Sequence, residues 1–518
     1  LLLAGLASLC ALHASIAATG DSWRAGASTV TPGHPAQAAL DPPAARRSWL
    51  AAAAAPQWLV VDFGRPMRLR SITQRFPTQA DWRFVIEGSD SGATAQPDQW
   101  TGLAASPPDA ARRSVYALTL SGTYRYVRLT VLSGGVPGST GLAIEGDTVA
   151  TPPPPLSPSM AGPAIGPDDP LPVMQSCDLW SSAAIWRSVL SRQPGNRPLI
   201  GAYDDAYASV ADARIALALR AGVTAFQSCW FREHGNAGQP VMTEYEGFIR
   251  ALADQAGLRD RVRWSLFWDN TNPAGDGVSG VDDFLTHLVP FWIDAYLSRT
   301  NYLSIGGRKL LAIGDAHAFA TQTGGIGQAR IALAGLRARA RQAGLGELIV
   351  LTCNNGDSHA SNDTARRIGF DGVMAYATPI FTGLLQGTAP SDGEVMRAER
   401  QSWSDWLAAS AIPPVLTVSV GYDMRIWSTA QVHYRLTPTD FAALLRDALR
   451  KARSLPLRSL GRQLVYLDNW NEFGEGHFIE PTVASGDATL RAVASVLRPG
   501  IVPAFPTVPA TLPGFAVP

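Results

Sequence analysis

Eight short apolar runs between residues 198 and 467, with helical patterns between them, limit the fold more than any other feature of this chain. They are Pro198–Tyr203, Val223–Trp230, Val262–Trp268, Lys309–Ile313, Leu348–Cys353, Gly372–Tyr376, Val415–Val420 and Leu464–Leu467. Helix candidates lie at Ala211–Ala221, Tyr245–Ala256, Val281–Leu297, Gly327–Ala343 and Pro438–Ser454. The last opens on Thr437-Pro438-Thr439-Asp440, an N-cap followed by proline at the first helical position. Eight buried-type strands alternating with helices predict a (β/α)8 TIM barrel over 174–500. An open doubly wound sheet is the rival. No glycine-rich phosphate loop follows the first run, which counts against it.

Upstream the pattern changes. Short alternating runs recur at Gln57–Gly64, Leu69–Ile72, Trp82–Ser89, Val115–Leu120 and Tyr124–Val131, punctuated by Gly, Pro, Asp and Ser. That is the signature of an all-β sandwich, expected over 21–148. Between the two parts, 149–173 contains Thr151-Pro-Pro-Pro-Pro-Leu-Ser-Pro and reads as a stiff, Pro-rich linker. Residues 501–518 form a Pro-rich C-terminal tail. The first 18 residues, LLLAGLASLCALHASIAA, resemble a secretory signal peptide lacking its Met and basic start, with Ser15-Ile16-Ala17 or Ile16-Ala17-Ala18 as the candidate cleavage site. Secretion or a periplasmic location is therefore expected, with no stable membrane insertion once the signal is removed. Of the remaining cysteines, Cys177, Cys229 and Cys353, none has CxxC spacing, so no metal site is expected.

Charge narrows the partners. Lys+Arg and Asp+Glu are both 43, giving zero formal net charge. A nucleic-acid binder would show a basic excess. Only 17% of residues are charged, while Trp reaches 15. This composition suits an uncharged, hydroxyl-rich ligand whose apolar ring faces stack on indoles.

Several pieces of the first part resemble the discoidin, or coagulation-factor type C, fold. They are Trp58–Gly64 (WLVVDFG), Ile86–Asp90 (IEGSD), Trp100 and Arg125–Leu129 (RYVRL). Members that bind sugar form carbohydrate-binding module family 32. The resemblance implies a jelly-roll sandwich with ligand loops at one end. Such sandwiches often hold a structural calcium; no other cofactor is expected. Trp58 and Trp82 lie within strand patterns and are expected in the core.

Barrel active sites lie at the C-terminal strand ends. Reading just past each run gathers Tyr203, Asp204 and Asp205; Trp230, Arg232, Glu233 and His234; Trp268, Asp269 and Asn270; Asp315 and His317; Asn354 and Asp357; Tyr376; Tyr422 and Asp423. Amides and acids bond hydroxyls, and aromatics face sugar rings. The eighth end carries NWNEFGEGHFIEP, Asn469–Pro481, with Asn469, Trp470, Asn471 and His477 around two glutamates. Glu472 and Glu475, three apart on a turn, can point into one cleft. Glycoside hydrolysis needs a proton donor for the leaving oxygen and a second carboxylate to assist attack. Two such carboxylates in a dry pocket repel, which raises one pKa.

This segment resembles the W-N-E-W-x-E-G…E-P signature of glycoside hydrolase family 99 and of the related WbsX-like proteins. Phe267–Asn270 (FWDN), Gly306–Leu311 (GGRKLL), Val420–Asp423 (VGYD) and Leu436–Phe441 (LTPTDF) agree with it, so the likeness spans about 196–498. Family 99 enzymes are retaining, endo-acting α-mannosidases or α-mannanases. The resemblance implies that Glu472 deprotonates the sugar's own 2-hydroxyl, which attacks the anomeric carbon and forms an epoxide-like intermediate. Glu475 then acts as acid/base. Phe473 replaces the family's Trp, and the Tyr-Pro-Trp-Tyr pattern of its first strand is absent here.

The expectation is a secreted glycoside hydrolase that cleaves internal bonds of a polysaccharide, α-mannan-like or bacterial exopolysaccharide. The alternatives are a non-catalytic polysaccharide-binding protein and a WbsX-like transferase. The partner in each case is a polysaccharide or oligosaccharide.

Overall fold

In the computed structural model, residues 23–41, 43–90, 100–109, 111–148, 169–271, 277–354, 357, 361–381, 383–385, 387–426, 432–503, 512 and 514 are described. The expected signal segment, most of the linker and most of the C-terminal tail lie outside them. The chain forms two compact units that part after Thr148.

The first unit is an antiparallel β-sandwich built around one 24-residue strand, Gln57–Ala80. Its first half pairs with Arg24–Ala27 and Thr123–Ser133, from Gln57 opposite Val131 to Asp62 opposite Tyr126. Its second half pairs with Gly141–Thr148 on one side and Arg113–Thr119 on the other. One strand thus serves both halves of the sandwich. Leu59, Val61, Phe63, Met67 and Leu69, all of one parity, are buried, as the two-residue period of a strand requires; a register shift between Leu69 and Ser71 then changes the parity, and Ile72 is buried. Trp82 is buried and stacks on Phe76 with centroids 4.4 Å apart. Trp58, expected in the core beside it, is only half-buried; it occupies the other face of the strand from Leu59. Arg125 and Asp62 form a buried two-bond ion pair at 2.9 and 3.0 Å.

The second unit is a (β/α)8 barrel. Its parallel strands are Leu171–Ser176, Ala225–Arg232, Arg263–Trp268, Arg308–Asp315, Leu348–Cys353, Gly372–Met374, Leu416–Ser419 and Leu464–Asp468. First and last pair directly, Leu171 opposite Leu464. Sixth and seventh meet through Val373, whose N–H bonds Pro413 O at 3.0 Å and whose carbonyl accepts from Val415 at 2.8 Å.

Seven of the eight expected strands form. The first does not: Pro198–Tyr203 is a turn, with Gly201 at φ +90°. The first barrel strand is instead Leu171–Ser176, which begins inside the expected linker. Side chains alternate between two layers. Val173, Cys229, Phe267, Ala312, Leu351 and Tyr466 fill the barrel interior. Met174, Trp230, Trp268, Ile313, Val350 and Leu467 face the helices. The helix Pro438–Arg453 buries Phe441, Leu444, Leu445, Ala448, Leu449 and Ala452, an unbroken stripe at helical spacing. Thr437 caps its start by accepting from the Asp440 N–H at 3.2 Å. Among the described residues no helix is long and apolar enough to cross a membrane.

Candidate active site at the eighth strand end

After the eighth strand the chain makes a small hairpin. Asn471–Glu472 pairs with His477–Phe478, placing Glu472 opposite His477, and Phe473–Gly476 forms the turn. Gly476 sits at φ +71°, and a Cβ there would lie 2.6 Å from Asp423 Cβ and 2.9 Å from its backbone nitrogen. Only glycine accepts both that backbone angle and that approach. The approach is used: the Asp423 N–H bonds Glu475 O at 2.5 Å.

His477 is fully buried and bonds two carboxylates, Asp468 through Nδ1 and Glu475 through Nε2, each at 3.0 Å. Burial alone would disfavour its charge, but Asp468 and Glu475 outweigh that and push the imidazole up to about 10. At neutral pH it is an imidazolium donating from both nitrogens. Asp468 is held in turn by the Ala377 N–H at 2.7 Å and the Ser419 hydroxyl at 3.1 Å.

Glu472 is buried, with one oxygen accepting from the Gly474 N–H at 3.2 Å. Burial first, and the Glu475 charge second, raise its pKa to about 7. Glu475 keeps about a quarter of its side chain exposed. The residue with the elevated pKa is thus Glu472, whereas the resemblance assigns the acid role to Glu475. The rings of Tyr376 and Tyr422 lie 4.7 and 5.8 Å from the His477 ring. Burial and the two glutamates hold both phenols above their ordinary value. The Cys177 thiol, at the end of the first strand, is held well above its usual range by bonding to Cys229, by burial and by the neighbouring Glu472. Cys177, Cys229 and Cys353 are all buried free thiols.

The other expected site residues divide. Asp269 is half-buried at the third strand end, accepting from the Thr271 N–H and hydroxyl at 3.1 Å. Exposed His317 bonds Asp357 at 2.8 Å on the rim. Half-buried Asn354 donates to Asn362 at 2.6 Å. Asp423 pairs with Arg425 at 2.7 Å. Asn270 is a buried strap between the third and fourth strands, bonded to both the N–H and O of Asp315. Asp204 accepts from the Ala206 N–H at 2.8 Å in a local turn.

Three tryptophans expected to face sugar do not. Trp230, Trp268 and Trp470 are fully buried. The first two alternate outward to the helix layer: Trp230 bonds the Tyr296 hydroxyl at 2.9 Å, and Trp268 packs on Phe284 and Trp292. Trp470 packs on Phe226. Tyr203, Asn469 and Asn471 are buried as well. Tyr203 donates to Glu480 at 2.9 Å, Asn469 accepts from the Asn471 N–H at 3.1 Å, and Asn471 accepts from the Cys177 N–H at 3.0 Å. These belong to a buried support that also holds Arg214, paired to Asp178 at 2.8 Å and Asp205 at 2.7 Å.

Sequence reasoning missed Asp468, Ser419 and Cys177. Asp468 immediately follows the apolar run, where an inward-facing strand-end acid could have been read from the alternation. Among the described residues no group of three or more His, Cys, Asp or Glu side chains could hold a metal ion.

Residues 281–493, which include the hairpin, match the family described as Glycosyltransferase WbsX. Residues 39–129 match the NedA-like, galactose-binding domain of F5/8 type C kind. No curated protein matches the chain. Among solved structures, it is similar to the family 32 carbohydrate-binding module of C. perfringens NanJ in complex with galactose, at 18% identity over 24% of this chain and 92% of that one, TM-score 0.20. Chitosan-binding module 1 of a Paenibacillus sp. IK-5 chitosanase/glucanase is 20% identical over 24% and 94%, TM-score 0.21. The GH99 endo-alpha-mannosidase from Bacteriodes thetaiotaomicron is 13% identical over 63% and 95%, TM-score 0.42.

Proposed function

From a chain that joins an F5/8 type C-like sandwich to a WbsX-like barrel, we propose a secreted, retaining glycoside hydrolase that cuts inside a polysaccharide. The observation that carries this reading is the hairpin. It holds one buried glutamate of elevated pKa and a second, more exposed one bonded to an imidazolium. In the proposed route Glu472 takes the proton of the sugar 2-hydroxyl, and the freed oxygen attacks the anomeric carbon. The glycosidic bond breaks as the leaving oxygen takes a proton from Glu475, which the His477 imidazolium at 3.0 Å supplies. Water then attacks the same carbon, losing a proton through Glu475 back to His477, while Glu472 returns its proton to the 2-oxygen. Two displacements at one carbon give net retention.

A glutamate half-ionised near pH 7 is a stronger base than an ordinary one, which suits proton removal from a hydroxyl. Glu475 has His477 at 3.0 Å as a proton-bearing neighbour, and its partial exposure suits contact with leaving group and water. The sandwich is proposed to hold the polymer. No cofactor is required by this chemistry.

The assay is new reducing ends from α-mannan, α-glucan and exopolysaccharide preparations. Glu475→Gln should cut their release by about 10²–10⁴-fold, and an initially inverted product anomer by NMR would refute retention. The match to a glycosyltransferase family favours one second reading, in which an acceptor sugar hydroxyl replaces water in the second step. Products longer than the starting oligosaccharide would identify it.

A further inference from the structure

A cavity of about 150 Å³ lies at the rim of the barrel mouth, beside the turn that carries Glu475. Gln193, Asn196, Asp423, Arg425, Arg435 and Phe478 line it, with Gly476. Its position is fixed relative to the glutamates, because Gly476 is the residue after Glu475 and Asp423 bonds the Glu475 carbonyl. Its volume is close to that of one pyranose ring.

The charge of this cavity is unusual. Arg435 donates to Gly476 O at 3.2 Å and Phe478 O at 2.9 Å, and its guanidinium lies over the Phe478 ring at 4.0 Å. Both bonds end on neutral carbonyls. Among the described residues no carboxylate lies within ion-pair distance of Arg435. Burial pulls its pKa down to about 10, and no described acid offsets that pull. Arg425 is already matched by Asp423, through Nε at 2.8 Å and Nη2 at 2.7 Å. The Gln193 amide donates to Asp423 at 3.1 Å, and the Asn196 amide donates to Gln193 at 2.7 Å. The arginines and Asp423 together leave one positive charge in excess. A desolvated guanidinium without a counter-charge favours a planar carboxylate, and the two amides offer partners for hydroxyls.

We infer that this cavity is a subsite for a hexuronate residue next to the point of cleavage, with its carboxylate on Arg435. The inference rests on the carbohydrate-processing reading above and narrows it: the polymer is acidic, not the neutral one suggested by zero net charge.

The test is binding of D-glucuronate and D-glucose to the full chain by saturation-transfer NMR, with inorganic phosphate as a third probe. Glucuronate should bind about tenfold more tightly than glucose or more, and Arg435→Gln should remove the preference. Equal binding of the two sugars overturns the inference, as does a preference that survives Arg435→Gln. Phosphate competing as well as glucuronate also overturns it, since that describes a plain anion site. If Arg435→Gln fails to fold, the wild-type ratio and Arg425→Gln decide, the latter weakening glucuronate without affecting glucose. Binding is measured without turnover, so a chain that cleaves no polymer yet prefers glucuronate refutes the hydrolase and supports the subsite. A chain that cleaves neutral polymer and binds the two sugars equally does the reverse.

Discussion

His477 Nδ1 lies 3.0 Å from Asp468, and both side chains are wholly withdrawn from water. The imidazolium thus neutralises the last residue of the final strand and, through its other nitrogen, holds Glu475. Removing it strands a buried carboxylate. His477→Ala is expected to cost about 3–5 kcal/mol of stability and to lower kcat more than KM worsens, as read by denaturant melts and steady-state kinetics.

The same pair gives stability a pH signature. The folded value near 10 lies above the ordinary 6.5 of histidine, so this contribution is complete below about 6.5 and drains away as pH rises toward 10. Thermal melts between pH 6.5 and 10 should show the barrel weakening with pH. In His477→Gln that slope should flatten.

Rate should respond to pH in the opposite direction. If Glu472 must be ionised to accept the 2-hydroxyl proton, kcat/KM rises with pH through an apparent value near 7. An unperturbed glutamate would place that limb more than two units lower. A limb below pH 5 on any cleaved polysaccharide would count against Glu472 as the base.

Leaving-group chemistry separates the two glutamates. Glu475→Gln should cost about 10²–10⁴-fold in kcat/KM on polysaccharide, but far less in kcat/KM on an aryl glycoside whose phenolate needs no proton. Glu472→Gln should cost the same on both. Equal losses for Glu475→Gln on both substrates would remove it from the acid role.

Trp268 tests the reassignment of the tryptophans. As a core residue, its replacement by Phe should lower stability by about 1–3 kcal/mol and leave KM unchanged. A platform for sugar would do the converse.

What could be read in advance follows from how local each signal is. The hairpin glutamates and seven barrel strands show in short stretches of sequence, because their chemistry or burial is local. The first strand does not: Leu171–Ser176 contains Pro172 and Gln175 and follows a Pro-rich stretch, so nothing local separates it from the linker. The orientation of Trp230 and Trp268 is legible in the alternation. Each follows an inward residue, Cys229 and Phe267, so the two-residue period already turns them toward the helices. The support under the site was not legible. Tyr203 meets Glu480 across 277 residues and Cys177 meets Asn471 across 294; such partners exist only once the barrel has closed.

That closure also sets when the proposed activity can emerge. The opening and final strands are neighbours, so the hairpin has no seat until the ribosome has released nearly the whole barrel. Contacts that span almost 300 residues make folding slow and place this step late. A nascent or truncated chain lacking either edge strand should have no partial activity: catalysis should arise in a single step, together with the last hydrogen-bonded seam.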